Sequence, residues 1–113
     1  MLFRSKDGTL FFNDIPLMDI IKQYGTPLRI SYLPKISSQI QKARRLFHVA
    51  MAKADYKGKY IFCYCTKSSH FSFVVDEVLK NGAHIETSSA FDIQIIKEQF
   101  QKKALSKIGR AHV

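Results

Sequence analysis

The stretch Tyr60-Ile61-Phe62-Cys63-Tyr64-Cys65-Thr66-Lys67-Ser68-Ser69-His70 decides how this chain is read. Residues 60–65 are uniformly apolar or aromatic, the pattern of a strand buried on both faces of a parallel sheet. Polar residues then mark its carboxyl end. Ser68 or Ser69 can cap a following helix, whose Phe71, Val74, Val75, Val78 and Leu79 recur at helical spacing until Asn81-Gly82 stops it. A short strand over residues 83–87 comes next. Ser89, with Asp92 three residues later, forms a capping-box pattern ahead of a third amphipathic helix carrying Ile93, Ile96 and Phe100.

Working upstream, Ile36, Ile40, Ala43, Phe47, Ala50 and Ala54 form one apolar helix stripe. Pro34 suits the first turn of that helix, which is expected to run to about Tyr56 and end at Lys57-Gly58. A strand is expected over residues 28–33, and a short amphipathic helix over 17–24, stopped by Gly25. Before it, residues 9–12 read as a strand after an Asp7-Gly8 turn. The order β-α-β-α-β-α with short connections is that of an α/β protein with parallel strands joined by right-handed crossovers. A complete doubly wound sheet or barrel needs more units, about 250 residues for the eight-fold barrel. The chain therefore reads as the opening of a larger fold.

The whole chain has 113 residues and carries 18 Lys plus Arg against 9 Asp plus Glu, a net +9. With 46% hydrophobic and 24% charged residues it lies in the globular range, away from disordered compositions. No apolar run approaches the roughly 20 residues that span a bilayer, and no secretory leader is evident, so a cytoplasmic protein is expected. The positive charge concentrates in residues 35–59 (+6) and 97–113 (+4), the remainder being −1. Such clusters raise a small basic nucleic-acid-binding α/β module as an alternative. Yet Lys42, Arg44, Arg45 and Lys53 mostly cover the solvated side of the apolar stripe, and no recognised nucleic-acid module accompanies them.

In parallel α/β folds the active site lies at the carboxyl ends of the strands. Strand alternation puts Ile61, Cys63, Cys65 and Lys67 on one face, with Lys67 at the mouth of an apolar column. A lysine there is either a solvated strand-end residue or a group put to use. Desolvation would favour the neutral amine that Schiff-base chemistry needs, and Glu86, at the equivalent end of the next strand, is its natural partner. Cys63, Cys65, His70 and His84 lack the spacing of zinc fingers or ribbons, and the two cysteines read better as small core residues. Nothing sets His70 beside a thiol for nucleophilic catalysis. Walker and dinucleotide-binding glycine motifs are absent from the sequence.

Three segments together resemble the pyridoxal-phosphate-dependent decarboxylases of the alanine-racemase fold, which act on arginine, ornithine and diaminopimelate. They are Tyr24-Gly25-Thr26-Pro27-Leu28, Tyr64-Cys65-Thr66-Lys67-Ser68-Ser69-His70, and Glu86-Thr87-Ser88-Ser89-Ala90-Phe91-Asp92. The family form is a Y-G-T-P-L opening, a strand ending A-V-K-A-N, and a later strand ending D-x-x-S-x-x-E. This chain departs from it with C-T-K-S-S and E-T-S-S-A-F-D, variants that look most like a bacterial arginine decarboxylase group. The match covers residues 6 to about 103.

The resemblance implies the N-terminal portion of a (β/α)8 barrel, incomplete at about three β-α units and preceded by a short strand and helix: a lead-in over 6–34 and the first cofactor-binding units over 35–106. It makes Lys67 the Schiff-base lysine for pyridoxal 5'-phosphate and Glu86 the acidic residue that tunes it. Ser89 falls at the family's serine position, in support of the cofactor site or the helix cap. A small amino-acid substrate is implied, arginine first (giving agmatine and CO2 for polyamine synthesis) and ornithine or diaminopimelate as alternatives. The full-length enzyme is expected to be a homodimer or higher homo-oligomer without nucleic-acid or membrane partners. The phosphate loop, the pyridine-nitrogen partner and the C-terminal β-domain should lie downstream, so this polypeptide alone is expected to be inactive.

The two ends bear on these expectations. Ile108-Gly109-Arg110-Ala111-His112-Val113 is what ATC GGA AGA GCA CAC GTC encodes, which resembles a sequencing adapter. Met1-Leu2-Phe3-Arg4-Ser5 is encoded by the reverse complement of that adapter with GTG as start codon. Residues 1–5 and 107–113 are therefore read as adapter scars and set aside from the fold. Without them the charge falls to +6 over residues 6–106.

Overall fold

The computed structural model describes residues 3–104. They fall in two compact units, Met1–Ser31 and Tyr32–Val113.

The first unit is an antiparallel meander of β1 (Phe3–Lys6), β2 (Thr9–Phe12) and β3 (Ile15–Pro16), followed by α1 (Leu17–Tyr24). Both turns are two residues long with positive φ at each position: Asp7 at 50° and Gly8 at 73°, then Asn13 at 47° and Asp14 at 69°. This is the turn geometry whose twist matches that of paired strands, and Asp, Asn and Gly tolerate it best. It sets the register Phe3↔Phe12, and those rings meet at 5.0 Å. Residues 3–5, set aside above as an adapter scar, thus form the outer strand. Pairing needs only backbone groups and a competent turn, whatever the origin of the side chains. Residues 1–2 and 107–113 of the scar reading lie outside the described residues. α1 has the predicted bounds, and Gly25, at φ 78°, ends it by donating to the Ile21 carbonyl at 2.7 Å. The expected strand over 28–33 does not form. Residues 28–32 pair with no strand, and Leu33 already belongs to the next helix, with Pro34 in its first turn.

The second unit runs α2 (Leu33–Lys53), β4 (Cys63–Cys65), a 3₁₀ turn (Thr66–Ser68), α3 (Ser72–Lys80), β5 (His84–Glu86) and α4 (Ala90–Ala104). α2 stops three residues short of the expected Tyr56. Asp55 adopts the left-handed conformation (φ 50°), Tyr56 N–H bonds the Met51 carbonyl at 2.9 Å, and Asp55 N–H bonds that of Ala52 at 3.3 Å. Such paired backbone bonds close a helix end, with Asp in the place usually given to glycine.

β4 and β5 pair in parallel, as the crossover pattern predicts, with Cys63↔His84, Tyr64↔Ile85 and Cys65↔Glu86 opposite one another. β4 is shorter than expected and is not buried on both faces. Tyr60, Phe62 and Tyr64 are half-buried, whereas Ile61 and Cys63 are exposed. One helical layer packs on the pair: Ile40 of α2, Val78 of α3 and Ala83 form the core, against Ile36, Phe62, Tyr64 and Ile85. The apolar stripe of α2 is buried only in its first half. Phe47 is exposed and stacks on Tyr60 at 4.5 Å.

The α2–α3 contact also carries a polar network centred on Asn81. Its amide donates to Ser37 Oγ and to the Glu77 carbonyl, both at 2.8 Å, and accepts from Gln41 at 3.3 Å. Its carbonyl accepts from Arg44 at 2.6 Å, and Ser37 donates to Glu77. In α4 the buried residues are Asp92 and Gln99, while Ile93 of the expected apolar stripe is exposed. Among the described residues no helix is long and apolar enough to cross a membrane.

Ile40 is 3% exposed at the centre of this packing. Ile40→Ala should destabilise the second unit by about 2–5 kcal/mol, read as a lower denaturation midpoint. Gly82→Ala, which forces a Cβ into φ 67°, should cost about 1–2 kcal/mol by the same measurement.

Candidate active site

Because β4 and β5 are parallel and in register, their carboxyl ends open side by side. Thr66, fully buried, follows β4 directly, and its hydroxyl donates to the Glu86 carbonyl at 3.4 Å. This bond ties the exit of one strand to the end of the other. The chain then tightens into the 3₁₀ turn that carries Lys67. Lys67 is exposed and does not continue the strand alternation, which corrects the expectation that it shares a face with Ile61, Cys63 and Cys65. The turn breaks the two-residue period one position earlier.

Glu86 is the last residue of β5, opposite Cys65. Among the described residues no ion pair joins it to Lys67. Its register partner Cys65 lies on the same face of the strand pair. A side-chain hydrogen bond to Glu86 pushes the Cys65 thiol above its ordinary value, burial and the Glu86 charge push the same way, and the Lys67 backbone and charge oppose them. Cys65 therefore senses both Glu86 and Lys67. It is half-buried and Cys63 is exposed, so neither is the enclosed core cysteine that composition suggested.

Tyr64 braces the loop after the 3₁₀ turn, its phenol donating to the Ser69 carbonyl at 2.8 Å. Ser69 is thus an acceptor in the loop and Ser68 belongs to the 3₁₀ turn; neither caps α3. That helix starts at Ser72 with Phe71 as its cap residue and no side-chain cap. Ser89 does cap: its Oγ accepts from Asp92 N–H at 3.1 Å, one half of the predicted capping box. His70 is exposed, its ring 6.3 Å from that of Phe71. Sequence reasoning pairs Lys67 with Glu86, reads Cys65 as a small core residue and does not single out Thr66. The in-register alignment of the two strand ends was the signal that could have found them.

No family model matches the chain, and no solved structure matches it significantly. A curated protein does. The chain is similar to a diaminopimelate decarboxylase. That relative, from Zymomonas mobilis, is 35% identical over 92 residues, which take in 81% of this chain and 21% of the relative. The chain thus spans about a fifth of that decarboxylase's length.

Two measurements probe the site's supports. Burial, first, and the Cys65 charge raise the Tyr64 phenol above its ordinary value of 10.0, outweighing the opposing influence of the Ser69 side chain and backbone on the ionised phenol. A raised folded value means that this stabilisation is complete below pH 10.0 and is lost as pH rises through the folded value. Thermal midpoints should fall with rising pH in that range, and Tyr64→Phe should flatten the fall while losing about 0.5–1.5 kcal/mol at neutral pH with its hydrogen bond. Ser89→Ala should cost about 1 kcal/mol in denaturant unfolding as the cap of α4 is lost.

Proposed function

We propose that this chain is part of a pyridoxal-phosphate-dependent amino-acid decarboxylase, with Lys67 as the residue that holds the cofactor covalently and Glu86 as the carboxylate beside it. One observation carries the reading: the stretch similar to a decarboxylase sets an exposed lysine two residues past the end of one parallel strand and a glutamate at the end of its neighbour. The donor set fits the group. A primary amine without a salt-bridge partner among the described residues stands where parallel α/β folds keep their chemistry, and Glu86, at the end of the neighbouring strand, is the carboxylate that would take or return a proton at Nζ. Thr66 and Tyr64 hold the two strand ends in place, and Ser89 anchors the helix that follows. When bound, pyridoxal phosphate supplies the electron sink for the pair left behind by departing carbon dioxide.

In this reading α2, β4, α3, β5 and α4 belong to the early units of a (β/α)8 barrel, preceded by the lead-in over 6–34. The exposed Ile61 and Cys63 face of β4 is the side against which further structure would pack. The enzyme is a homo-oligomer with its remaining cofactor contacts elsewhere in the sequence. Both cysteines are free thiols, as a reducing cytoplasm keeps them. For the substrate, the C-T-K-S-S-H and E-T-S-S-A-F-D variants favour arginine. Diaminopimelate is the second reading, favoured by the name of the Zymomonas relative.

The test uses the protein encoded by the complete gene around this sequence. It should retain pyridoxal phosphate through purification, borohydride reduction should leave the phosphopyridoxyl group on the Lys67 peptide, and Lys67→Ala should lose both. Release of carbon dioxide from arginine, ornithine and diaminopimelate then ranks the substrates. A full-length protein that holds no cofactor ends the decarboxylase reading, and salt-dependent nucleic-acid affinity would replace it with the basic-module one.

A further inference from the structure

Cys65, the last residue of β4, and Glu86, the last residue of β5, are register partners. Residues directly opposite in a parallel pair point to the same side of the sheet with their strands about 4.8 Å apart, so the Cys65 thiol and the Glu86 carboxylate are within reach of each other. Backbone geometry keeps them there, since Thr66 Oγ1 bonds the Glu86 carbonyl at 3.4 Å on the residue next to Cys65. Lys67, two residues beyond, has turned out of the strand alternation in the 3₁₀ turn.

We propose that Cys65 is a positioning residue whose thiol donates to the Glu86 carboxylate and holds it at the end of β5, so that Glu86 is divided between the thiol and the Lys67 side chain. The inference rests on the decarboxylase reading for its consequence but not for its geometry. A carboxylate has lone pairs for several donors, and each one it accepts fixes its orientation and reduces what it offers the next. With Cys65 in place, Glu86 faces Lys67 without locking it into a tight ion pair, and the amine stays available for reaction with an aldehyde. The shift of the Cys65 thiol away from its ordinary value has the same origin. The titratable groups around it are Glu86 of β5, Lys67 of the 3₁₀ turn and Tyr64 of β4.

The direct test is alkylation of this 113-residue chain with iodoacetamide, followed by peptide mass spectrometry. Cys63, exposed on β4, reports reagent access. At about pH 8, Glu86→Gln and Glu86→Ala should each speed modification of Cys65 at least about threefold relative to Cys63, because the thiolate is no longer disfavoured by the carboxylate. Unchanged ratios in both variants would overturn the thiol–carboxylate contact. In the complete enzyme, Cys65→Ala should lower kcat and move its pH profile, while Cys65→Ser, which restores an O–H donor, should recover both. An unaltered pH profile in Cys65→Ala would overturn the positioning role. Failure of the decarboxylase reading shows separately, as loss of cofactor trapping at Lys67 with the alkylation result still standing.

Discussion

The corner at Asn81-Gly82 is the constraint on which the rest of the second unit depends. Gly82 reverses the chain in a conformation that L side chains rarely adopt, and Asn81 spends its amide and its carbonyl on Ser37, Gln41 and Arg44 of α2 and on Glu77 of α3. The chain therefore leaves α3 at a defined point, with Ala83 directed into the core beside Ile40 and Val78. That point fixes the start of β5 and, through His84 N–H bonding the Phe62 carbonyl at 2.9 Å, its register on β4. Moved by one residue, the same strand would present Ile85 to the opposite face and take Glu86 away from Cys65.

The energetic weight lies with burial and with hydrogen bonds made away from bulk water. The exposed ion pairs contribute little. Arg4–Asp14 at 2.5 Å and Lys57–Asp55 are largely solvated, where such pairs are worth about 0–1 kcal/mol. In the candidate site the polar groups are the exposed ones, Lys67 and Glu86, and what orders them lies beneath: the buried Thr66, the phenol of Tyr64 and the half-buried Cys65.

Much of the local structure was legible. Helix periodicity marked α1 to its last residue, the Asn81-Gly82 stop, and the Ser89 cap, because these signals depend on neighbours within one turn of chain. The candidate lysine and glutamate were legible for a similar reason, as polar residues closing two apolar runs. What failed were inferences requiring a partner. Alternation over 28–33 suggested a strand, but a strand exists only with an edge to pair with. The apolar run 60–65 suggested burial on both faces, while a single helical layer covers one. The capping serines expected before α3 were used otherwise, Ser68 in the 3₁₀ turn and Ser69 as an acceptor for Tyr64.

Sequence by itself determined where the helices lie, that two strands run parallel, and which residues end them, since period, capping and turn chemistry are short-range properties. Only the tertiary structure decided that Cys65 is the register partner of Glu86 while Lys67 leaves the strand in the 3₁₀ turn. That outcome depends on the register between strands some twenty residues apart, and on a 3₁₀ turn that rotates Lys67 out of the alternation at the position where the strand ends.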